Sequence, residues 1–273
     1  MLFLPDMTGE ARPTSKQSRF SRRRFLTGAI LLSPFLAGAE AKWLEPSWLK
    51  LRHVKLCRGK AAHRFVHFTD VHHKGDKAYL ESVVKLINSV SPEFVCFTGD
   101  LIEDRKWVNE ALGVFSKIKS PLFGVPGNHD YWSKTPFDDF SKVFAATGGA
   151  WLSDTQTVTA DGQFSIIGAT CRSSRQPPVK VRSDTRNIFL MHYPAWVKQL
   201  KGQQFDLMLA GHSHGGQVRI PFYGPLMLPF GVDEFDMGLF KTAVGPLYVN
   251  PGIGWFPVPL RFNCRPEVTV FEV

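Results

Sequence analysis

Five short runs of the sequence gather side chains that bind divalent metals: Asp70-Val71-His72, Gly99-Asp100, Gly127-Asn128-His129-Asp130, His192, and Gly211-His212-Ser213-His214-Gly215-Gly216. They hold five of the nine histidines, and each run closes an apolar stretch. Taken singly they are ordinary, since a Gly-Asp pair is a common turn and Asn-His-Asp a common helix start. Taken together they put imidazoles and carboxylates where an apolar interior has little reason to collect them unless something binds them. Asp, His and Asn donors without cysteine suit Mn²⁺, Fe²⁺ or Zn²⁺ rather than a structural thiolate zinc site. Two such ions about 3.5–4 Å apart need a bridging carboxylate, and Asp100 is the natural candidate. A hydroxide shared by the pair is a strong nucleophile at neutral pH, while the ions clamp phosphoryl oxygens as charge develops.

Elements of regular structure must bring these runs together. Residues 65–69, 94–98 and 122–125 read as strands, and 77–90 and 106–119 as amphipathic helices, a β-α-β-α-β series whose right-handed crossovers make the strands parallel. The carboxyl ends of parallel strands line one crevice, where residues remote in sequence converge. The second half reads as further strands at 164–168, 187–191, 207–210, 218–220, 247–249 and 268–271. The fold class expected is α/β, a two-sheet sandwich flanked by helices, with the metal site at the strand carboxyl ends. Beyond Lys42 no Gly/Ser linker, repeat or low-complexity run divides the chain, so 42–273 is expected to form one catalytic domain.

The ordered set D-x-H, G-D, G-N-H-D, H and G-H-x-H, spread over residues 70 to 214, resembles that of the calcineurin-like metallophosphoesterases. Ala210 to Gln217 and Tyr248-Val249-Asn250-Pro251-Gly252 look most like a membrane-associated bacterial branch of it. The resemblance implies that Asp70, His72, Asp100 and His214 hold one metal. It implies that Asp100, Asn128, His192 and His212 hold the other, with Asp100 bridging. His129 then contacts the phosphate and protonates the leaving-group oxygen, and Asp130 orients or tunes its imidazole. His73 is read as a surface residue or one supporting a ligand from behind.

The segment Ser21-Arg22-Arg23-Arg24-Phe25-Leu26-Thr27, followed by apolar residues 28–38 and the small-residue pattern Ala37-Gly38-Ala39, looks like a twin-arginine signal peptide. Residues 1–41 are therefore set apart as a targeting segment. The apolar run is shorter than the roughly 20 residues of a spanning helix, which favours a signal over a permanent anchor. Export to the periplasm or a membrane-associated state follows, with association at the cytoplasmic face as the alternative, and the export machinery is an implied partner. Six Lys/Arg against Asp6 and Glu10 precede Ala39, leaving a net +5 of the total +9 for the rest. That excess, without an aromatic and basic platform for bases, is modest for a nucleic-acid channel. Cys57, Cys96, Cys171 and Cys264 form no C-x-x-C pair, and Cys96, inside an apolar run, reads as a buried free thiol.

Two segments bear on substrate. Arg172, Arg175, Lys180, Arg182 and Arg186 surround Pro177-Pro178 in what reads as an exposed basic loop. Residues 221–240, rich in Phe, Leu, Met, Pro and Gly, follow the last ligands closely enough to wall the site; such a wall meets an acyl chain or a membrane, or else is a covered core loop. The expected function is hydrolysis of a phosphate ester or diphosphate, on a small molecule or a lipid-linked compound. Some relatives resembling this branch cleave the diphosphate of UDP-2,3-diacylglucosamine in lipid A synthesis, and others act as general phosphodiesterases or phosphatases. The lipid A alternative needs a cytoplasm-facing site, which the export signal opposes. A rival of another class is a catalytically silent membrane-surface binding protein that keeps its metals as staples, against which the His129-Asp130 pair speaks.

Overall fold

A computed structural model describes residues 21–172 and 180–273. The chain divides into a short N-terminal unit ending at Gly38 and a body running from Ala39 to the C-terminus. The first contributes one described element, helix α1 (Arg22–Ala39), whose Phe25, Leu26, Ile30, Leu31, Leu32, Phe35 and Leu36 are all exposed. No helix among the described residues is long and apolar enough to cross a membrane.

In the body, β1 (Lys50–Lys55), β2 (Arg64–Phe68), β3 (Val95–Phe97), β4 (Leu122–Gly124) and β5 (Ala150–Trp151) belong to one sheet. β6 (Thr155–Val158), β7 (Phe164–Gly168), β8 (Arg186–Leu190) and β9 (Leu207–Ala210) belong to a second. A separate small hairpin, β10 (Arg219–Ile220) and β11 (Gly224–Pro225), precedes β12 (Gly238–Thr242) and β13 (Gly245–Val249) of the second sheet. The last strand, β14 (Glu267–Glu272), returns to the first, giving the orders β1-β14-β2-β3-β4-β5 and β12-β13-β9-β8-β7-β6.

β2, β3, β4 and β5 run parallel, as the alternation of strands with α2 (Lys77–Val90), α3 (Val108–Phe115), and the pair α4 (Asn128–Trp132) and α5 (Asp138–Ala146) requires. β7, β8, β9 and β13 are parallel as well. The two-residue period of the strands divides the core into layers. Val66 and Phe68 face α2 and α3 with Leu80, Val84 and Phe115, whereas Phe65 points into the space between the sheets with Phe164, Ile188, Leu209 and Phe271. Phe189, Met208 and Val249 cover the outer side of the second sheet. The result is a two-sheet α/β sandwich flanked by helices.

Several boundaries differ from the sequence reading. The helix expected over 106–119 is a 3-10 turn at Arg105–Trp107 followed by the shorter α3, and the strand expected over 218–220 is only β10 of the small hairpin. β14 was legible as a strand, yet its insertion between β1 and β2 was not, because a central position and an edge carry the same apolar text.

Candidate metal centre

Five of the parallel strands, β2, β3, β4, β8 and β9, lead into the predicted ligands, and the backbone bends sharply after β2, β3 and β9. Asp70, His72, Asp100, His212 and His214 all adopt left-handed φ, between 46° and 66°. For residues with a β-carbon that conformation costs roughly 1–2 kcal/mol each, and it persists only where surrounding contacts dictate it. The surroundings do so here. Asp70 donates its N–H to Gly99 O and its carbonyl accepts from Gly254 N at 2.7 Å, while His72 N donates to Asp100 O at 3.0 Å. Close approach leaves no room for side chains on the glycines between them: a β-carbon on Gly127 would collide with the Asp100 carboxylate, and one on Gly211 with Asp70 and Thr69.

All seven predicted ligands converge. Donor atoms of Asp70, His72 and His214, and likewise of Asp100, His192 and His212, lie within 4.8 Å of one another in each group. His72 Nε2 is 3.7 Å and His214 Nε2 3.5 Å from Asp70 Oδ1. Asp100 Oδ2 lies between the two groups, 3.5 Å from His72 Nε2 and 3.1 Å from His192 Nε2, and Asn128 Oδ1 is 3.0 Å from that same His192 nitrogen. Asp100 Oδ1 is turned away, accepting from His129 N at 2.8 Å.

The donors fit metal ions on three counts. Asp70 Oδ1 is buried without a hydrogen-bond partner, a deficit that a cation makes good. The far nitrogens of three imidazoles are already engaged: His72 Nδ1 with Glu103 Oε1, His192 Nδ1 with Thr98 O at 2.7 Å, and His212 Nε2 with Phe230 O at 2.7 Å. Those contacts fix each ring with its opposite nitrogen aimed inward, which is how metal-binding histidines are held. Finally, the centre draws in positive charge. Burial alone would strip the histidines of their protons, yet the carboxylates of Asp70, Glu103 and Asp100 hold His72 at about 9, and Asp100 with Asp70 holds His192 at about 9. Burial would likewise protonate Asp70 and Asp100, but the facing His72 and His192 keep both carboxyls far below the usual range, whereas burial pushes His212 down to about 4 and also lowers His214, leaving those two rings neutral. Divalent ions would replace those protons.

Asp130 does not touch the His129 imidazole, contrary to the sequence expectation. Its carboxylate accepts the backbone N–H of Asp100 at 2.8 Å, Gly127 at 2.9 Å and Leu101 at 2.9 Å, pinning two ligand-bearing loops together. Complete burial, and then the neighbouring Asp100 charge, push its pKa up to about 7 against the pull of those N–H groups. The residue that holds the imidazole is Glu103, whose carboxylate lies 3.1 Å from His129 Nδ1 and also engages His72. Its place three residues after Asp100 was the available sign. Arg261, wholly buried, was missed as well: it donates to the carbonyls of Pro251 and Cys264 at 2.9 and 2.8 Å and to that of Gly254, fixing the loop that clamps Asp70. His73, bound to Glu110 at 2.7 Å, stays out of the centre.

A cavity of about 550 Å³ opens above the ligands. Asp100, Asn128, His129, His212 and His214 form its floor, and Trp132, Tyr193, Leu226, Met227, Phe230 and Phe256 its sides. His129 lies among rings, with Trp132 at 4.6 Å and Phe256 at 4.5 Å between centroids. A larger cavity of about 780 Å³, beside the 3-10 turn Pro194–Gln199 and β12, contains none of these ligands. Of the expected basic loop, Arg175 and the two prolines lie outside the described residues; Arg172 stacks on Tyr131 and Arg182 pairs with Asp184 at 2.7 Å. All four cysteines are free thiols, with Cys96 buried.

A two-sheet sandwich with such a centre at its strand ends defines the metal-dependent phosphoesterases. The chain belongs to the calcineurin-like phosphoesterase family, whose model matches residues 63–216. It is 30% identical to the uncharacterized metallophosphoesterase YkuE of Bacillus subtilis, over 93% of this chain and 98% of that protein. It is 28% identical to the phosphodiesterase YaeI of Escherichia coli, over 93% and 99% of the two chains. With the UDP-2,3-diacylglucosamine pyrophosphatase LpxG of Chlamydia trachomatis it shares 27% identity, over 89% and 94%. The family makes it a hydrolase that uses divalent metals.

Proposed function

We propose that the chain hydrolyses a phosphate diester or diphosphate bearing an apolar group, using two divalent ions, Mn²⁺, Fe²⁺ or Zn²⁺. The observation that carries this is the cavity itself, polar and metal-binding at its floor and apolar along its sides. Asp70, His72, Asp100 and His214 would hold one ion and Asp100, Asn128, His192 and His212 the other, with Asp100 common to both sets. The ions, once bound, supply Lewis acidity that activates a water and offsets charge on the phosphoryl oxygens. Glu103 holds His129 through Nδ1 and supports its imidazolium form, whose Nε2–H is the proton passed to the departing oxygen, leaving the neutral ring with its Nδ1–H on Glu103. Trp132 and Phe256 shield that imidazole, which strengthens its interaction with the phosphate. Asp130 serves the reaction through the backbone of Asp100 and Gly127 rather than through the imidazole.

The substrate proposed is a lipid-linked phosphate compound. Leu226, Met227 and Phe230 offer an acyl chain contacts that a small polar ester would leave unused. A diacylated sugar nucleotide, the substrate in the name of the Chlamydia relative, is the second reading, favoured by the same wall. Residues 1–41 are proposed to direct twin-arginine export, on the strength of Arg22, Arg23 and the exposed apolar residues of α1 that follow them. Replacing Arg22 and Arg23 by Lys and fractionating cells tests this: loss of the periplasmic or membrane-bound pool supports it, and an unchanged distribution contradicts it.

The test of the activity is hydrolysis of bis-p-nitrophenyl phosphate and p-nitrophenyl phosphate by metal-stripped protein after adding back each metal, with Asp100→Asn and His129→Ala alongside. Metal-dependent turnover lost in both variants is the expected result. Metal uptake without turnover on these esters or on a lipid diphosphate would instead fit the silent binding protein.

A further inference from the structure

The stretch from Arg219 to Gly231 is inverted relative to a normal surface. It contains one charged residue, Arg219, whose guanidinium is occupied by Asp236 at 2.8 Å and by Gly215 O at 2.8 Å. Its apolar side chains point to solvent. Ile220, Tyr223, Leu226 and Met227 are exposed, and Phe222 and Phe230 fully so, at 110% and 93%. The hairpin pairs with neither six-stranded sheet, so these residues do not serve the core. At its tip Phe222 is held at φ 68°, a conformation that bulky residues rarely adopt. Strain and solvent exposure both count against a phenylalanine there, and no packing within the body offsets them. An Asn or Gly would make the turn at lower cost, so the ring must answer to something outside the chain.

A second apolar group is tied to the base of this hairpin. Asn263 donates its side-chain N–H to Arg219 O at 3.1 Å and its backbone N–H to Glu45 Oε2 at 3.0 Å. Glu45 is buried, while the neighbouring Trp43, Leu44 and Trp48 face solvent. Charge inside and tryptophan outside is the reverse of ordinary burial. Cations accompany the rings: Lys42 lies 5.3 Å from the Trp43 ring and Arg265 3.9 Å from that of Trp48. Exposed aromatics flanked by Lys and Arg are what a lipid headgroup region accommodates, rings at the acyl boundary and cations at the phosphates.

We infer that the rim comprising residues 219–231, together with the turn at residues 42–48, docks on an anionic bilayer. Leu226, Met227 and Phe230 belong to both the rim and the cavity wall, so the surface that covers the rim also faces the mouth of the site. A lipid then reaches the metal centre along a continuous apolar path without crossing water. A bilayer matches this better than a protein partner because residues 219–231 offer a partner protein no carboxylate and no unpaired cation to read. Docking rests on the lipid-linked substrate only for its purpose; the surface stands or falls by itself.

The experiment is hydrogen exchange of the full chain with and without vesicles of phosphatidylglycerol and phosphatidylethanolamine, and with phosphatidylcholine vesicles as control. This readout is local, so α1 does not obscure it, and it needs no turnover. Expected is protection of amides in 219–231 and 42–48 on anionic vesicles, reduced roughly tenfold or more in population in a Phe222→Asn, Tyr223→Ser variant. Both residues lie outside the cavity lining, so that variant keeps its turnover of soluble esters. Vesicle-bound protein with unchanged exchange in 219–231 overturns the inference, as does protection that follows protein concentration instead of lipid. If soluble and lipid esters are both refractory while vesicle protection persists, the catalytic reading fails and the docking surface remains.

Discussion

The metal centre and the exposed hairpin use the same backbone device for opposite ends. In the centre, five non-glycine residues with left-handed φ turn carboxylates and imidazoles inward; at the hairpin, one turns a phenylalanine outward. The bends in the centre are held by hydrogen bonds to the carbonyls of Gly99 and Asp100 and from the N–H of Gly254, so their cost is distributed over a buried network. The bend at Phe222 lies in a turn between two two-residue strands, with the side chain touching little. Local strain inside the body is explained by what the body holds, whereas strain at its surface points to something the body meets.

Breaking the first region should have the largest effect. Asp100→Asn removes the shared oxygen's charge and is expected to lower turnover by roughly 10³-fold or more, with bound metal, measured by plasma mass spectrometry, falling in parallel. Glu103→Gln keeps the shape but weakens the hold on His72 and His129. A loss of about 10- to 100-fold is expected, mostly in kcat, with Glu103→Asp recovering little because the shorter side chain cannot reach both rings. Gly127→Ala should destabilise the fold by about 1–3 kcal/mol in thermal or denaturant unfolding, since the added methyl meets the Asp100 carboxylate. The second region should respond least and with the opposite sign. Phe222→Asn relieves the left-handed strain and is expected to raise stability by up to about 1 kcal/mol; a loss of stability would mean that the ring packs within the chain after all.

The two regions were unequally legible in the sequence. Metal donors are few residue types, and a buried strand end tolerates them only for cause, so Asp70, His72, Asp100, Asn128, His192, His212 and His214 stood out. Their parallel strands could be read from the β-α-β rhythm. Asp130 could be found but not placed, because sequence adjacency to His129 says nothing about which way a helical residue points; its carboxylate caps loops instead. Glu103 reaches His129 and His72 across 26 and 31 residues, and Arg261 binds carbonyls within irregular loops, contacts that carry no periodic signal. The run 221–240 looked equally suited to a covered loop and to a wall, since apolar text does not say which side faces water; exposure of Phe222 and Phe230 decides that. The insertion of β14 between β1 and β2 also depends on a long-range pairing that no local pattern encodes.

The most direct measurement on the central claim is metal stoichiometry in stripped protein titrated with Mn²⁺, followed by electron paramagnetic resonance of the loaded form. Two ions per chain with a spin-coupled signal, reduced to one uncoupled ion or none in Asp100→Asn, is the predicted result. A single ion in the parent protein, or coupling that survives Asp100→Asn, would contradict a paired centre joined through Asp100.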